Sequence, residues 1–178
     1  MLEMPRAEYS SASDSSAAWY AVWTRSRHEQ VVYQQLVQKE IETFLPTIAR
    51  WSRWKDRRKK IEWPLFPGYC FARFDPLDSL PVLKCSGVLN IVSICHKPAV
   101  IPDEEINSLR VLMAQDVACD PCARIAEGAI VEVVAGPLRG VVGRLLSKNS
   151  KSATVVLSVD LIGQAVRVEV DAADIEPR

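Results

Sequence analysis

The chain has 178 residues, 48% of them apolar and 25% charged, which is the mix of a folded globular protein and excludes a fibrous or low-complexity chain. Its 22 Lys and Arg balance 22 Asp and Glu, so bulk charge gives no reason to expect a nucleic-acid binder. No apolar run approaches the roughly 20 residues that span a bilayer, and cysteines at 70, 85, 95, 119 and 122 lack the dense, even spacing of a secreted disulfide scaffold; a reducing cytoplasm is the expected setting.

Residues 1–18, MLEMPRAEYSSASDSSAA, are rich in Ser and Ala, poor in apolar bulk and without a signal-peptide core, and predict a disordered tail. The run 19-WYAVWTR-25 is aromatic and β-branched and reads as a strand. Ser26 and Glu29 have the spacing of a capping box, opening a helix over 28–41 with Val32, Leu36 and Val37 at helical intervals. Phe44-Leu45-Pro46 reads as a short strand. Residues 47–60 form a long basic connection that could be a strand pair with a mobile tip. Strands follow at 61–63 and 69–74, divided by Pro64 and Pro67-Gly68. A short helix over 78–85 stops at Gly87, and 88–94 returns to strand. Pro102 starts a helix whose first turn carries Asp103, Glu104 and Glu105 and whose buried face is Ile106, Leu109, Leu112 and Met113. The order predicts an α/β domain over 19–116, with a mixed sheet flanked by helices. Residues 117–127 read as a linker. From Gly128 to Arg178 four β-rich runs, 130–134, 141–146, 153–159 and 165–170, are broken by Gly-Pro, Lys-Asn and Gly, the pattern of a small all-β barrel.

Two local features suggest a task. Between Arg50 and Lys60 stand seven Lys or Arg, one Asp and two Trp. Such a run is either a solvated loop or a set of phosphate contacts, with Trp51 or Trp54 available to stack on a base. Immediately after it, 64-PLFPGYCFARF-74 packs four aromatic residues around a turn. Alternation along a strand puts Tyr69, Phe71 and Arg73 on one face and Cys70, Ala72 and Phe74 on the other. The small Cys70 and Ala72 suit packing under a helix, so Tyr69 and Phe71 either belong to a second core or face a partner.

Three further patterns point elsewhere. Gly136, Gly140 and Gly143 lack the following Lys-Ser/Thr of a phosphate loop and read as turn glycines. Cys119-x-x-Cys122 could suit a thiol oxidoreductase or half a zinc site. It follows a helix and has no second ligand pair, so linker is the preferred reading, and no metal, cofactor or enzymatic activity is expected. In 160-DLIGQ-164, Leu161 and Ile162 precede a turn glycine, where apolar side chains are costly unless covered.

Together, WY on the first strand, LFPGY, GV, KP-x-x-IPDEE and 131-VEVVAGPLRGVVG-143 resemble, in order and spacing, the NusG family of transcription elongation factors over about 160 residues. The resemblance implies a NusG N-terminal-like domain followed by an SH3-like KOW barrel at 128–178. The blocks 19-WYAVWTRSRHE-29, 43-TFLP-46 and RRKK-to-PLFPGY are more similar to the specialised RfaH- and UpxY-like antiterminators than to the housekeeping factor. It further implies that Trp23, Phe66, Tyr69 and Phe71 meet the clamp helices of the largest RNA polymerase subunit. Arg53, Lys55, Arg57, Arg58 and Lys59 would lie near upstream DNA, and Arg25, Arg27 and His28 near the non-template strand. Leu161 and Ile162 would hold the ribosomal protein NusE; Ile162 replaces an aromatic residue, which argues against Rho contact. The expected protein is a monomeric antitermination factor that suppresses pausing. The competing reading is a KOW-type RNA- or ribosome-binding protein, and such proteins lack the first domain.

Overall fold

The computed structural model of the chain describes residues 17–54, 57–115, 117, 119–123 and 128–178. In the first half, β1 (Ala18–Thr24) leads into α1 (Glu29–Gln38), and β2 (Glu42–Phe44) into a hairpin of β3 (Thr47–Trp54) and β4 (Arg57–Pro64). After the Pro67-Gly68 turn come β5 (Tyr69–Phe74), α2 (Leu80–Leu83) and β6 (Val88–Ile91). A small hairpin, β7 (Ser93–Ile94) with β8 (Lys97–Pro98), precedes β9 (Val100–Ile101) and α3 (Asp103–Ala114).

The first sheet has the order β2-β5-β1-β6, with β9 also pairing β1. A mixed sheet was expected; among the described residues every ladder of this sheet is antiparallel. Both faces are buried, for different reasons. Tyr20, Val22, Cys70, Ala72 and Phe74 project to one face, where they join Val32 and Leu36 of α1 and Val82 of α2 in one cluster. Cys70 is enclosed there, and burial pushes its thiol up to about 12. Trp19, Ala21 and Phe71 project to the other face and cluster with Leu65, Phe66 and the Ile106, Leu109 and Leu112 stripe of α3. Arg110 of α3 lies over the Trp19 ring at 4.8 Å and pairs with Glu42 at 2.9 Å, which ties the helix to the sheet edge.

Several local expectations change. The capping box does not form: α1 begins at Glu29 behind His28, with no side-chain cap. Val37, read as apolar helix face, is 49% exposed. The strand expected over 88–94 is broken at Val92: β6 pairs with β1, whereas β7 turns back on β8 through Cys95 and His96, at φ +49° and +63°. Both are side-chain-bearing residues in the left-handed region.

The second half holds β10 (Cys119–Ala123), β11 (Ile130–Val133), β12 (Val142–Lys148), β13 (Ser152–Val159), β14 (Gln164–Asp171) and β15 (Ile175–Pro177). They form a six-stranded antiparallel sheet in the order β10-β14-β13-β12-β11-β15. The linker expectation is corrected in part: Cys119–Ala123 pairs with β14 from Cys119↔Val168 to Ala123↔Gln164, so this stretch is an edge strand, while 116, 118 and 124–127 lie outside the described residues. The strand forms because β14 offers an unpaired edge and Val166 and Val168 need cover. Gly143 permits close strand packing: a Cβ there would come within 2.7 Å of both Val155 Cγ1 and Val156 O.

The two halves meet through α3. Ile106, Leu109 and Leu112 belong to the same apolar cluster as Val131, Val133, Val155 and Leu157. The buried Ser108 hydroxyl accepts the Val142 N–H at 3.1 Å, and Arg178 pairs with Glu104.

Candidate partner and nucleic-acid interface

The Pro67-Gly68 turn is fixed from two sides. Gly68, at φ +85°, donates its N–H to a Glu29 carboxylate oxygen at 2.8 Å. Its carbonyl accepts the Thr24 N–H at 2.8 Å. Glu29 is only 4% exposed, and it also places a negative group in the first turn of α1, where the helix dipole favours one. The Ser26/Glu29 spacing therefore has a different use from the one expected: Glu29 holds the aromatic turn to the helix start. The Thr24 hydroxyl beside it is buried and, among the described residues, has no hydrogen-bond partner.

The four aromatic candidates separate into two pairs. Trp23 and Tyr69 are Cα partners across β1 and β5, the last pair of that ladder. Trp23 is 49% exposed and Tyr69 is half-buried. Phe66 and Phe71 are core in this arrangement, at 1% and 0% exposure, with their rings edge-to-face at 6.0 Å. Phe71 also stacks on Phe44 at 6.3 Å. The pleat assigned Phe71 to the correct face, but that face carries its own core, so the expectation of an outward Phe71 is corrected: α3, Leu65 and Phe66 close over it. A proline-linked turn followed by Tyr gave no signal of this, because the covering helix begins about 30 residues later.

Of the basic residues at the strand–helix junction, Arg25 and Arg27 are exposed, and Arg27 holds φ +63°. His28 is engaged in the fold: Nδ1 lies 3.0 Å from the Ser26 carbonyl, and its ring packs against Gly87, where a Cβ would approach His28 Cβ to 2.9 Å. The basic hairpin pairs in register from Thr47↔Pro64 to Trp54↔Arg57, placing Trp51 opposite Lys60 and Arg53 opposite Arg58. Lys55 lies outside the described residues; Arg53, Arg57, Arg58 and Lys59 have strand positions in the outer part of the ladder. At its base the hairpin is closed by the Leu65 N–H donating to the Pro46 carbonyl at 2.8 Å.

Between the hairpin base and the start of α1 lies an open cavity of about 640 Å³, lined among others by Arg27, Gln30, Thr47, Glu62, Trp63 and Pro67. Trp63 is 48% exposed. Sequence reasoning passed over it in favour of Trp51 and Trp54; its position beside a proline at the inner end of a strand was the available clue.

Elsewhere, Leu161 and Ile162 lie in a short 3-10 turn and are half-buried against the core cluster, so they are more covered than an exposed hairpin would leave them. Cys119 and Cys122 share one strand with opposite-face parity, and their Cα atoms are roughly 10 Å apart at the usual strand rise, too far for a disulfide. Burial raises the Cys122 thiol, with Arg167 nearby only opposing it, which disfavours a reactive thiolate. Among the described residues no group of three or more His, Cys, Asp or Glu is placed to hold a metal ion, and no helix is long and apolar enough to cross a membrane.

Comparison with known proteins gives a consistent result. The family model for NusG, described as transcription termination factor nusG, matches residues 17–110. The transcription termination/antitermination protein NusG of Borreliella burgdorferi is 27% identical over 186 residues, covering 90% of this chain and 98% of that protein. The protein of the same name from Helicobacter pylori strain J99 is 25% identical, covering 89% and 97%. A solved structure described as domain interaction in Thermotoga maritima NusG superposes with a TM-score of 0.53 at 19% identity, covering 90% of this chain and 97% of that one.

Proposed function

The chain belongs to the NusG family, and from that premise we propose that it is a non-enzymatic, monomeric, cytoplasmic elongation and antitermination factor that grips RNA polymerase with the Trp23–Tyr69 end of its first sheet. The observation that carries the reading is the half-exposed tryptophan paired across the strands with Tyr69, at the end of the β1–β5 ladder. Large aromatic side chains left in water at a rigid sheet end are the residue types that dominate protein interfaces. The clamp helices of the largest polymerase subunit are the proposed occupant. Phe66 and Phe71 support that surface from below. Binding one clamp conformation better than another would suppress pausing by population shift. The RfaH/UpxY-like subtype belongs to the same proposal, as does a second contact, to NusE, through Leu161 and Ile162.

Trp23→Ala and Tyr69→Ala should each weaken binding to core polymerase by on the order of 2 kcal/mol or more while leaving the circular dichroism spectrum unchanged. Wild-type affinity in both folded variants would remove the proposed grip.

The hairpin carrying Arg53, Lys55, Arg57, Arg58 and Lys59 supplies the DNA contact in this reading, with Arg25 and Arg27 as a second set toward the non-template strand. Affinity for an elongation complex should fall with salt, because phosphate contacts release condensed counterions. Reversing Arg57 and Arg58 to Glu should lower the slope of log affinity against log salt by about 2. A slope equal to that of the wild type would mean that the hairpin does not touch phosphate.

A further inference from the structure

The C-terminal ends of α1 and α2 meet in a contact that neither the aromatic sheet end nor the basic hairpin uses. Lys39 Nζ lies 3.3 Å from Cys85 Sγ. We infer that this pair is a redox modification site, at which a peroxide converts the contact into a covalent sulfur–nitrogen bond between Cys85 and Lys39. The pair is preset by its surroundings. Lys39 caps α1, and its ammonium group donates to the Pro81 carbonyl at 2.6 Å; the Cys85 thiol is directed at the same oxygen, 3.4 Å away. Amine and sulfur thus share one anchor and do not depend on the free swing of a long side chain. Gln35, one turn earlier on the same helix face, grips the residue after Cys85 with both amide atoms. Its Nε2 donates to the Ser86 carbonyl and its Oε1 accepts the Ser86 N–H, both at 2.9 Å. Cys85 itself is 3% exposed and clusters with Leu36, Val82 and Cys70. Large reagents are kept from the sulfur, whereas hydrogen peroxide is close to water in size.

The chemistry runs in two balanced steps. First the Cys85 sulfur attacks hydrogen peroxide: an S–O bond forms, the O–O bond breaks, sulfur is oxidised by two electrons, and the second oxygen leaves as water. The ammonium group beside it steadies the negative charge that sulfur carries during the attack. Then the Lys39 amine, having given one proton to solvent, attacks the sulfenic sulfur. An S–N bond forms, the S–O bond breaks, and the hydroxyl leaves as water with a second proton from nitrogen. In sum, one thiol, one amine and one peroxide give the bridge and two waters. Sulfenic acids condense in this way with a nitrogen held against the sulfur. An added thiol reverses the bridge: it takes the sulfur as a mixed disulfide, returns the amine, and a second thiol frees Cys85. Cys70, in the same cluster, is the competing partner. Burial holds its thiol up at about 12, so it supplies little thiolate for a disulfide.

The test treats the folded full chain with hydrogen peroxide and maps its peptides by mass spectrometry. The wild type should yield a linked pair of peptides, one holding Lys39 and one Cys85, lighter by two hydrogens than their sum and separated again by dithiothreitol. Closing the chain between these residues restrains the unfolded state, so the bridged protein should melt roughly 5–15 °C higher. Lys39→Arg keeps the positive charge but offers no comparable nucleophile. In that variant the link and the rise in melting temperature should both vanish, with Cys85 left as sulfenic acid or a higher oxide. Cys70→Ala should keep the link. A disulfide between Cys70 and Cys85 causes the same loss of mass in the intact chain, and the peptide map distinguishes it. That disulfide in the wild type overturns the proposal, as does oxidation of Cys85 with no linked peptide. An equal rise in melting temperature in Lys39→Arg also overturns it, because the restraint would then not come from the amine.

Discussion

Phe71→Ala should lower the unfolding free energy by about 3–5 kcal/mol, the usual cost of removing a buried phenylalanine together with the cavity that is left. The ring is 0% exposed and is held between Phe66 and Phe44. Its strand is interior to the sheet, with Ala21 opposite it on one side and Phe44 on the other. Little can collapse into the gap, since the neighbours on both sides are themselves fixed by the sheet. Urea unfolding, followed by tryptophan fluorescence, would give the value. The contrast with Trp23→Ala is the informative part: a half-exposed ring leaves no comparable void, so that variant should unfold near the wild-type midpoint. If Phe71→Ala were within about 1 kcal/mol of wild type, the buried placement would be wrong and the ring would be available to a partner after all.

Glu29→Ala should cost about 2–3 kcal/mol, because it removes a buried charged acceptor from a partly buried backbone donor and leaves the Gly68 N–H without that bond. In a chain of this size that corresponds to a melting temperature lower by roughly 4–12 °C. Glu29→Gln keeps an acceptor of the same length and should lose less than half as much. The effect should also reach the surface. Gly68 precedes Tyr69 directly, so a loosened turn lets the Trp23–Tyr69 pair lose its fixed spacing. Polymerase affinity in Glu29→Ala should fall although no contacting side chain has changed. A melting temperature within 1–2 °C of wild type would show that water replaces the carboxylate without loss.

Much of the fold could be read from the residues because local rules and packing agreed. Val32 and Leu36 kept helical spacing and are fully buried; Cys70, Ala72 and Phe74 took the face under α1 as the pleat required. Ile106, Leu109 and Leu112 formed the inner stripe of α3. What failed depended on contacts distant in sequence. The burial of Phe71 needs α3. The strand at Cys119–Ala123 needs the free edge of β14, and its own residues include Pro121 and Asp120, which are poor strand formers. The turn at Cys95-His96 escaped notice because it carries none of the Gly or Asn that normally mark a left-handed pair. The site was legible to a similar degree. A basic hairpin beside an aromatic turn was plain from the sequence, whereas the cavity between them exists only where the hairpin base meets the start of α1.

The helix α3 has one apolar stripe and two neighbours that want it. Toward the first sheet it covers Trp19 and Phe71; toward the second it shares a cluster with Val131 and Val155, with Ser108 hydrogen-bonded across the seam. A cut after this helix would divide the sequence between its two halves without dividing the interior. The shorter piece would lose cover for its valines, and the longer would carry a wet leucine face and a serine stripped of its donor. The two halves should therefore melt together, with the seam, rather than either centre, as the place where a change in one half is first felt in the other.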